Sequence, residues 1–174
     1  RKELSRFNNV FQTKGSAAIL MNIDNGNILS LVSLPDFDPN KRENIKDKNY
    51  INKITKGVYE LGSVFKTFTL AAALDENLID VDTKFIDLEK SIDCGKNTIR
   101  EYDKKIPKDL TAEEILIRSG NIGSVRIGQK IGVEKFKQFL TKINLINKIE
   151  FDIEEIGIPI PFKWGKCKLA TTSF

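Results

Sequence analysis

A chain of 174 residues with 40% hydrophobic and 30% charged side chains is long enough to bury one core and is not a disordered tail. Its 28 basic and 24 acidic residues leave a net charge of +4, and the lysines stand singly among acids, which argues against a nucleic-acid partner. With no histidine, the chain excludes Ser-His-Asp and Cys-His chemistry and histidine-ligated zinc within itself, so any general base is a carboxylate, a lysine or a tyrosine.

Residues 2–13 predict a short amphipathic helix with Leu4, Phe7 and Phe11 on one side. "SAAILMNIDNGNILSLVSL" predicts two apolar strands joined at Asn25-Gly26, because both residues tolerate positive φ. The polar, proline-broken "PDFDPNKRENIKDKNYINK" predicts a loop. From Ser63 the pattern turns helical, and Phe65, Phe68, Leu70, Ala72 and Ala73 predict a mostly buried segment ending near "DENLID". Short strands and turns are expected around "TKFIDLEKSIDCGKNTIREYDKKIP". Thr111 and Glu114 have capping-box spacing, and "NIGSVRIGQKIG" and "VEKFKQFLTKI" predict two further helices, each stopped by a glycine or an asparagine.

The tail, "EIGIPIPFKWGKCKLATTSF", reads as loop, with Trp164 either packed over the core or lining a groove. Cys94 and Cys167 lie too far apart in sequence for a metal or redox motif and read as independent thiols, a disulfide between them being the alternative. No apolar run approaches the roughly 18 to 20 residues of a spanning helix, and the first residues lack the apolar centre of a signal peptide. There is no internal repeat.

The chemistry gathers at two places. Ser63 and Lys66 lie three apart at the mouth of an apolar helix, and such residues share a face. A serine hydroxyl is a poor nucleophile until a base takes its proton. A lysine serves as that base only if burial or nearby positive charge lowers its pKa. Lys66 stands between Phe65 and Phe68, which supplies the burial, and the helix N-terminus favours an oxyanion near Ser63. Gly62 lets the backbone turn into the helix. The plain alternative makes Ser63 an N-cap and Lys66 a surface lysine, and S-x-x-K alone does not decide. The second place is "RSGN", where Ser119 can relay a proton and the Asn121 amide can accept from a lysine and donate to a carbonyl. Helix capping is the better explanation of those two residues when they are taken alone, and the two motifs together reverse that balance. S-x-x-K and S-x-N in this order are the pattern of a penicillin-recognising serine acyltransferase.

With these motifs the sequence resembles the transpeptidase domain of class B penicillin-binding proteins. The resemblance runs along nearly the whole chain, through "GSAAILMNIDNGNILSLVSLPDFDPN", "YELGSVFKTFTLAAALDENLI" and "ILIRSGNIGSVRIGQKIGVEKF". It implies a mixed α/β fold of the penicillin-binding-protein and serine β-lactamase kind, present in part as a first antiparallel hairpin and a helical subdomain. It also implies that residues 1–174 are the N-terminal part of one such domain, the C-terminal strands being absent. By position, Ser63 would be the acylated nucleophile, its backbone N–H half of the oxyanion hole, and Lys66 the amine that takes its proton. Ser119 and Asn121 would pass the proton to the leaving group and hold the acyl amide.

Two departures stand out. Leu61 occupies a position where the family usually has proline, and no K-T-G or K-S-G triplet appears, so the segment by itself is expected not to turn over peptide. The implied activity is peptidoglycan D,D-transpeptidation without cofactor or metal. Its partners would be D-alanyl-D-alanine stem peptides, β-lactams and membrane proteins of a division complex. The implied place is the bacterial envelope, at the periplasmic face of the inner membrane, with the anchor outside this chain. S-G-N sides with transpeptidases rather than with class A or class D β-lactamases, and with division enzymes more than elongation ones. The competing reading is a β-lactam-sensing or β-lactamase-related domain that acylates without cross-linking.

Overall fold

Aliphatic residues on either side of an Asn- and Gly-rich turn give the chain its first hairpin. It belongs to one of two units, residues 1–59 with 148–160. The computed structural model describes residues 1–38, 40, 41 and 51–174. Helix α1 (Lys2–Phe11) precedes strands β1 (Ser16–Met21) and β2 (Ile28–Leu34). The strands pair antiparallel, from Ser16 opposite Leu34 to Met21 opposite Ile28. The connection is wider than the expected Asn-Gly turn and takes in residues 22–27. Asn22 N–H donates to Asn27 O at 2.8 Å, and the Asn22 and Asn25 side chains accept from the N–H groups of Asp24 and Asn27. Asparagine side chains that fold onto the chain two residues ahead favour this longer loop. Gly26, at φ 75°, takes the left-handed position within it.

Phe7 and Phe11 of α1 stack on one side, with ring centroids 4.4 Å apart, as their spacing predicts. Yet no residue of α1 is buried. Of the stretch 35–53 expected as loop, residues 39 and 42–50 lie outside the described residues, and the rest hold neither helix nor strand. Its end is tied back to β2: Ser33 Oγ accepts from Lys53 N–H at 3.0 Å and donates to Ile51 O at 3.3 Å.

The second unit, residues 60–147 with 161–174, holds the main core. A 3₁₀ turn (Gly62–Val64) leads into helix α2 (Phe65–Asp75). Strands β3 (Lys84–Phe85), β4 (Ser91–Cys94), β5 (Asn97–Arg100) and β6 (Leu110–Thr111) follow, then helices α3 (Ala112–Ile117), α4 (Asn121–Ile131), α5 (Val133–Lys142) and α6 (Lys166–Thr172). β4 pairs with β5 and β3 with β6, all antiparallel. Leu70, Ala72 and Ala73 of α2 are buried as expected, while Phe65 and Phe68 are half-buried against the same core. Thr111 and Glu114 close the reciprocal capping box their spacing predicts. Trp164 packs edge-on against the fully buried Phe136, with centroids 6.4 Å apart, which is its core-covering reading.

Two expectations need correction. The tail is not all loop, for α6 forms and buries Leu169 and Ala170. Seven residues are too few to hold a helix alone, so the packing holds it. Thr69 Oγ1 of α2 donates to Ser173 O at 2.9 Å, and Gly128 of α4 leaves the space that Ser173 Oγ fills. Cys94 and Cys167 are not independent thiols either. They form a disulfide with Cα atoms 5.2 Å apart, because α6 folds back beside the end of β4. Sequence separation carried no information about that return. Among the described residues no helix is long and apolar enough to cross a membrane.

Candidate active site

All four residues singled out in the sequence belong to the second unit. Gly62, at φ 56°, makes the turn that a side chain would resist. Ser63 follows it in the 3₁₀ turn and is exposed, whereas Lys66, one turn later, is 2% exposed. The spacing therefore puts the hydroxyl at the surface and the amine beneath it. No side chain caps the start of α2, so Ser63 is not its N-cap.

Ser119 and Asn121 arrive from the junction of α3 and α4. Gly120 N–H donates to Ile115 O at 2.8 Å, and Ser119 turns at φ 53°, a left-handed position uncommon for a residue with a side chain. That turn aims both its oxygens at Lys66. Lys66 Nζ lies 2.5 Å from Ser119 O, 2.9 Å from Ser119 Oγ, 2.7 Å from Asn121 Oδ1 and 3.3 Å from Ser63 Oγ. Two of these four oxygens are carbonyls that can only accept. Two are hydroxyls that can also donate.

This division fixes what the amine can do. A neutral amine has two N–H groups and one lone pair. The two carbonyl oxygens occupy the N–H groups, and the lone pair is left for a hydroxyl proton. Burial pushes the Lys66 pKa below its ordinary 10.5, and the Glu101 carboxylate partly opposes that by favouring the charged form. A buried lysine of lowered pKa, touching two serine hydroxyls, can take a proton from one and return it through the other.

Glu101 is the residue that the sequence reading missed. Just past β5, it accepts from the N–H groups of Asn121 and Ile122 at 2.6 and 2.9 Å, and Arg100 O accepts from Asn121 Nδ2 at 2.8 Å. Twenty residues separate it from Asn121, and one acid among many in a strand-and-turn region gave no signal.

The penicillin binding protein transpeptidase domain model matches residues 16–174. The probable peptidoglycan D,D-transpeptidase FtsI of Caulobacter vibrioides is 31% identical over 173 residues, covering 99% of this chain and 29% of that protein. Stage V sporulation protein D of Bacillus subtilis is 29% identical over 177 residues, covering 99% of this chain and 27% of its own length. The chain thus spans under a third of these relatives. Among solved structures, the TP domain of Burkholderia pseudomallei penicillin-binding protein 3 superposes with a TM-score of 0.81 at 22% identity, covering 99% of this chain and 48% of that one. A peptidoglycan glycosyltransferase from Burkholderia ambifaria gives a TM-score of 0.82 at 22% identity, with 99% and 51% covered. These likenesses establish the mixed α/β fold. Matched over nearly all its length, the chain belongs to the penicillin-binding protein transpeptidase domain family.

Proposed function

We propose that this domain is the acylating part of a peptidoglycan D,D-transpeptidase with Ser63 as nucleophile. The observation that carries this is the reach of one buried amine, Lys66 Nζ, to the hydroxyls of both Ser63 and Ser119. Ser63 Oγ gives its proton to Lys66 and attacks the carbonyl carbon between the two D-alanines of a stem peptide. The oxyanion forms beside the Ser63 backbone N–H. The C–N bond then breaks, and the departing D-alanine takes a proton that passes from Lys66 through Ser119 Oγ. Asn121, held by its bond to Lys66, presents its amide to the acyl group. An amine of a second stem peptide attacks the ester, the C–O bond breaks, and Ser63 recovers its proton by the same path. A β-lactam follows the first half, its ring amide opening onto Ser63.

The name of the Caulobacter vibrioides relative, FtsI, supports a division setting. Membrane proteins of a division complex would then be its partners. The bacterial envelope, at the periplasmic face of the inner membrane, suits the Cys94–Cys167 disulfide, which persists in an oxidising compartment. The test is acylation of the full-length protein by a fluorescent penicillin, with the adduct located by mass spectrometry. The expected adduct is on Ser63, absent in Ser63→Ala. An adduct on another serine, or normal labelling of that variant, rejects the assignment. Labelling without cross-linking of stem peptides would favour the β-lactam-sensing reading.

A further inference from the structure

The carboxylate of Glu101 is half-buried and spends both oxygens on the first two N–H groups of α4. These are the amides of Asn121 and its neighbour, at a helix end that has no cap from its own Gly120. The preceding backbone group, Arg100 O, accepts from the Asn121 side chain. Both handles of Asn121, main chain and amide, are therefore gripped from one dipeptide at the end of β5. Asn121 Oδ1 then meets Lys66 Nζ, and the second N–H of its amide can face the acyl group.

We propose that Glu101 is a positioning residue for the acylation reaction, fixing Asn121 and the Ser119 turn against Lys66 through its two-pronged hold on α4. This rests on the proposed function above. A carboxylate accepting two N–H groups at once sets orientation as well as distance, and a displacement near 1 Å at a reacting group can cost roughly a hundred-fold in rate. A simple cap would do no more than stabilise α4. Glu101 differs because its charge also acts on the Lys66 amine, whose remaining neighbours, Ser63, Ser119 and Asn121, are neutral. Burial lowers the pKa of that amine and the Glu101 charge raises it.

The test uses the full-length protein with Glu101→Gln, Glu101→Ala and Glu101→Asp. Three quantities are read: acylation by a fluorescent penicillin across pH, the melting temperature, and amide exchange at Asn121 and Ile122. Glu101→Ala should lower the acylation rate roughly ten- to a hundred-fold and speed exchange at those two amides, with α5 unaffected. Glu101→Gln keeps an acceptor and loses the charge, so its rising pH limb should move to lower pH. Glu101→Asp, which keeps the charge, should leave that limb in place. Wild-type rates with an unmoved limb, or unchanged exchange at both amides, would overturn the proposal even if the proteins melt earlier. If Glu101→Ala does not fold, Glu101→Gln alone decides by its limb and its exchange. Persistent labelling of Ser63→Ala would instead strike the proposed function, and the exchange measurement would still judge the hold of Glu101 on α4.

Discussion

Lys66 Nζ meets Ser119 twice over, at its carbonyl oxygen at 2.5 Å and at its hydroxyl at 2.9 Å. Both contacts exist because Ser119 sits at φ 53°. A residue with a Cβ resists that conformation by roughly 1–2 kcal/mol, and glycine does not.

Strain and chemistry at Ser119 can therefore be separated. Ser119→Ala keeps the strain and loses the hydroxyl, while Ser119→Gly loses both. Both variants should acylate at least roughly a hundred-fold more slowly, the usual contribution of a positioned proton carrier. In denaturant unfolding Ser119→Gly should be the more stable of the two by about 1 kcal/mol. Equal stabilities would show that the backbone there is unstrained.

Lys66 links the site to stability. Its folded pKa is lowered by burial to below the unfolded 10.5, with Glu101 opposing. Between the two values the unfolded chain binds more protons, so stability rises with pH through that window. The gain is complete above the unfolded value and is lost as pH falls through the folded one. Lys66→Met removes the titration. Wild type should gain on this variant as pH rises towards the unfolded value of 10.5, measured by denaturant midpoints. Parallel stability curves would count against a depressed amine.

Packing under the Ser119 turn is tight enough to test directly. A Cβ at Gly123 would lie 2.5 Å from Ile115 Cγ1, and Ile115 is 1% exposed. Gly123→Ala should destabilise by about 1–3 kcal/mol through overpacking. Adding Ile115→Ala should cost less than the sum of the single changes, because it vacates the overlapped space. Strict additivity of the two in a double-mutant cycle would show that they do not share that space.

The helices from Ser63 to Lys142 were legible because each repeats apolar residues at helical spacing and begins or ends at a recognisable residue. Thr111 with Glu114 is the clearest case, since both halves of the capping box formed. The cluster around Lys66 was legible for a related reason: Ser63 and Lys66 are helical neighbours, and Ser119 and Asn121 straddle one turn. What could not be read depends on distant chain meeting in space. Glu101 reaches α4 only after the β4–β5 hairpin has folded, and α6 exists only against α4. Exposed Phe7 and Phe11 show the reverse limit: an apolar stripe predicts a helix face and says nothing about what that face meets.

The Cys94–Cys167 bond divides the site by covalent topology. It closes a ring of chain that includes Glu101, Ser119 and Asn121 and excludes Ser63 and Lys66. A protease cut anywhere between the two cysteines leaves a single linked molecule until a reductant is added. A cut between Lys66 and Cys94 instead leaves Ser63 and Lys66 with no covalent link to the ring, whether or not a reductant is present. In peptide mapping, a label on Ser63 would thus leave on a linear fragment, while Ser119 and Asn121 travel with the ring.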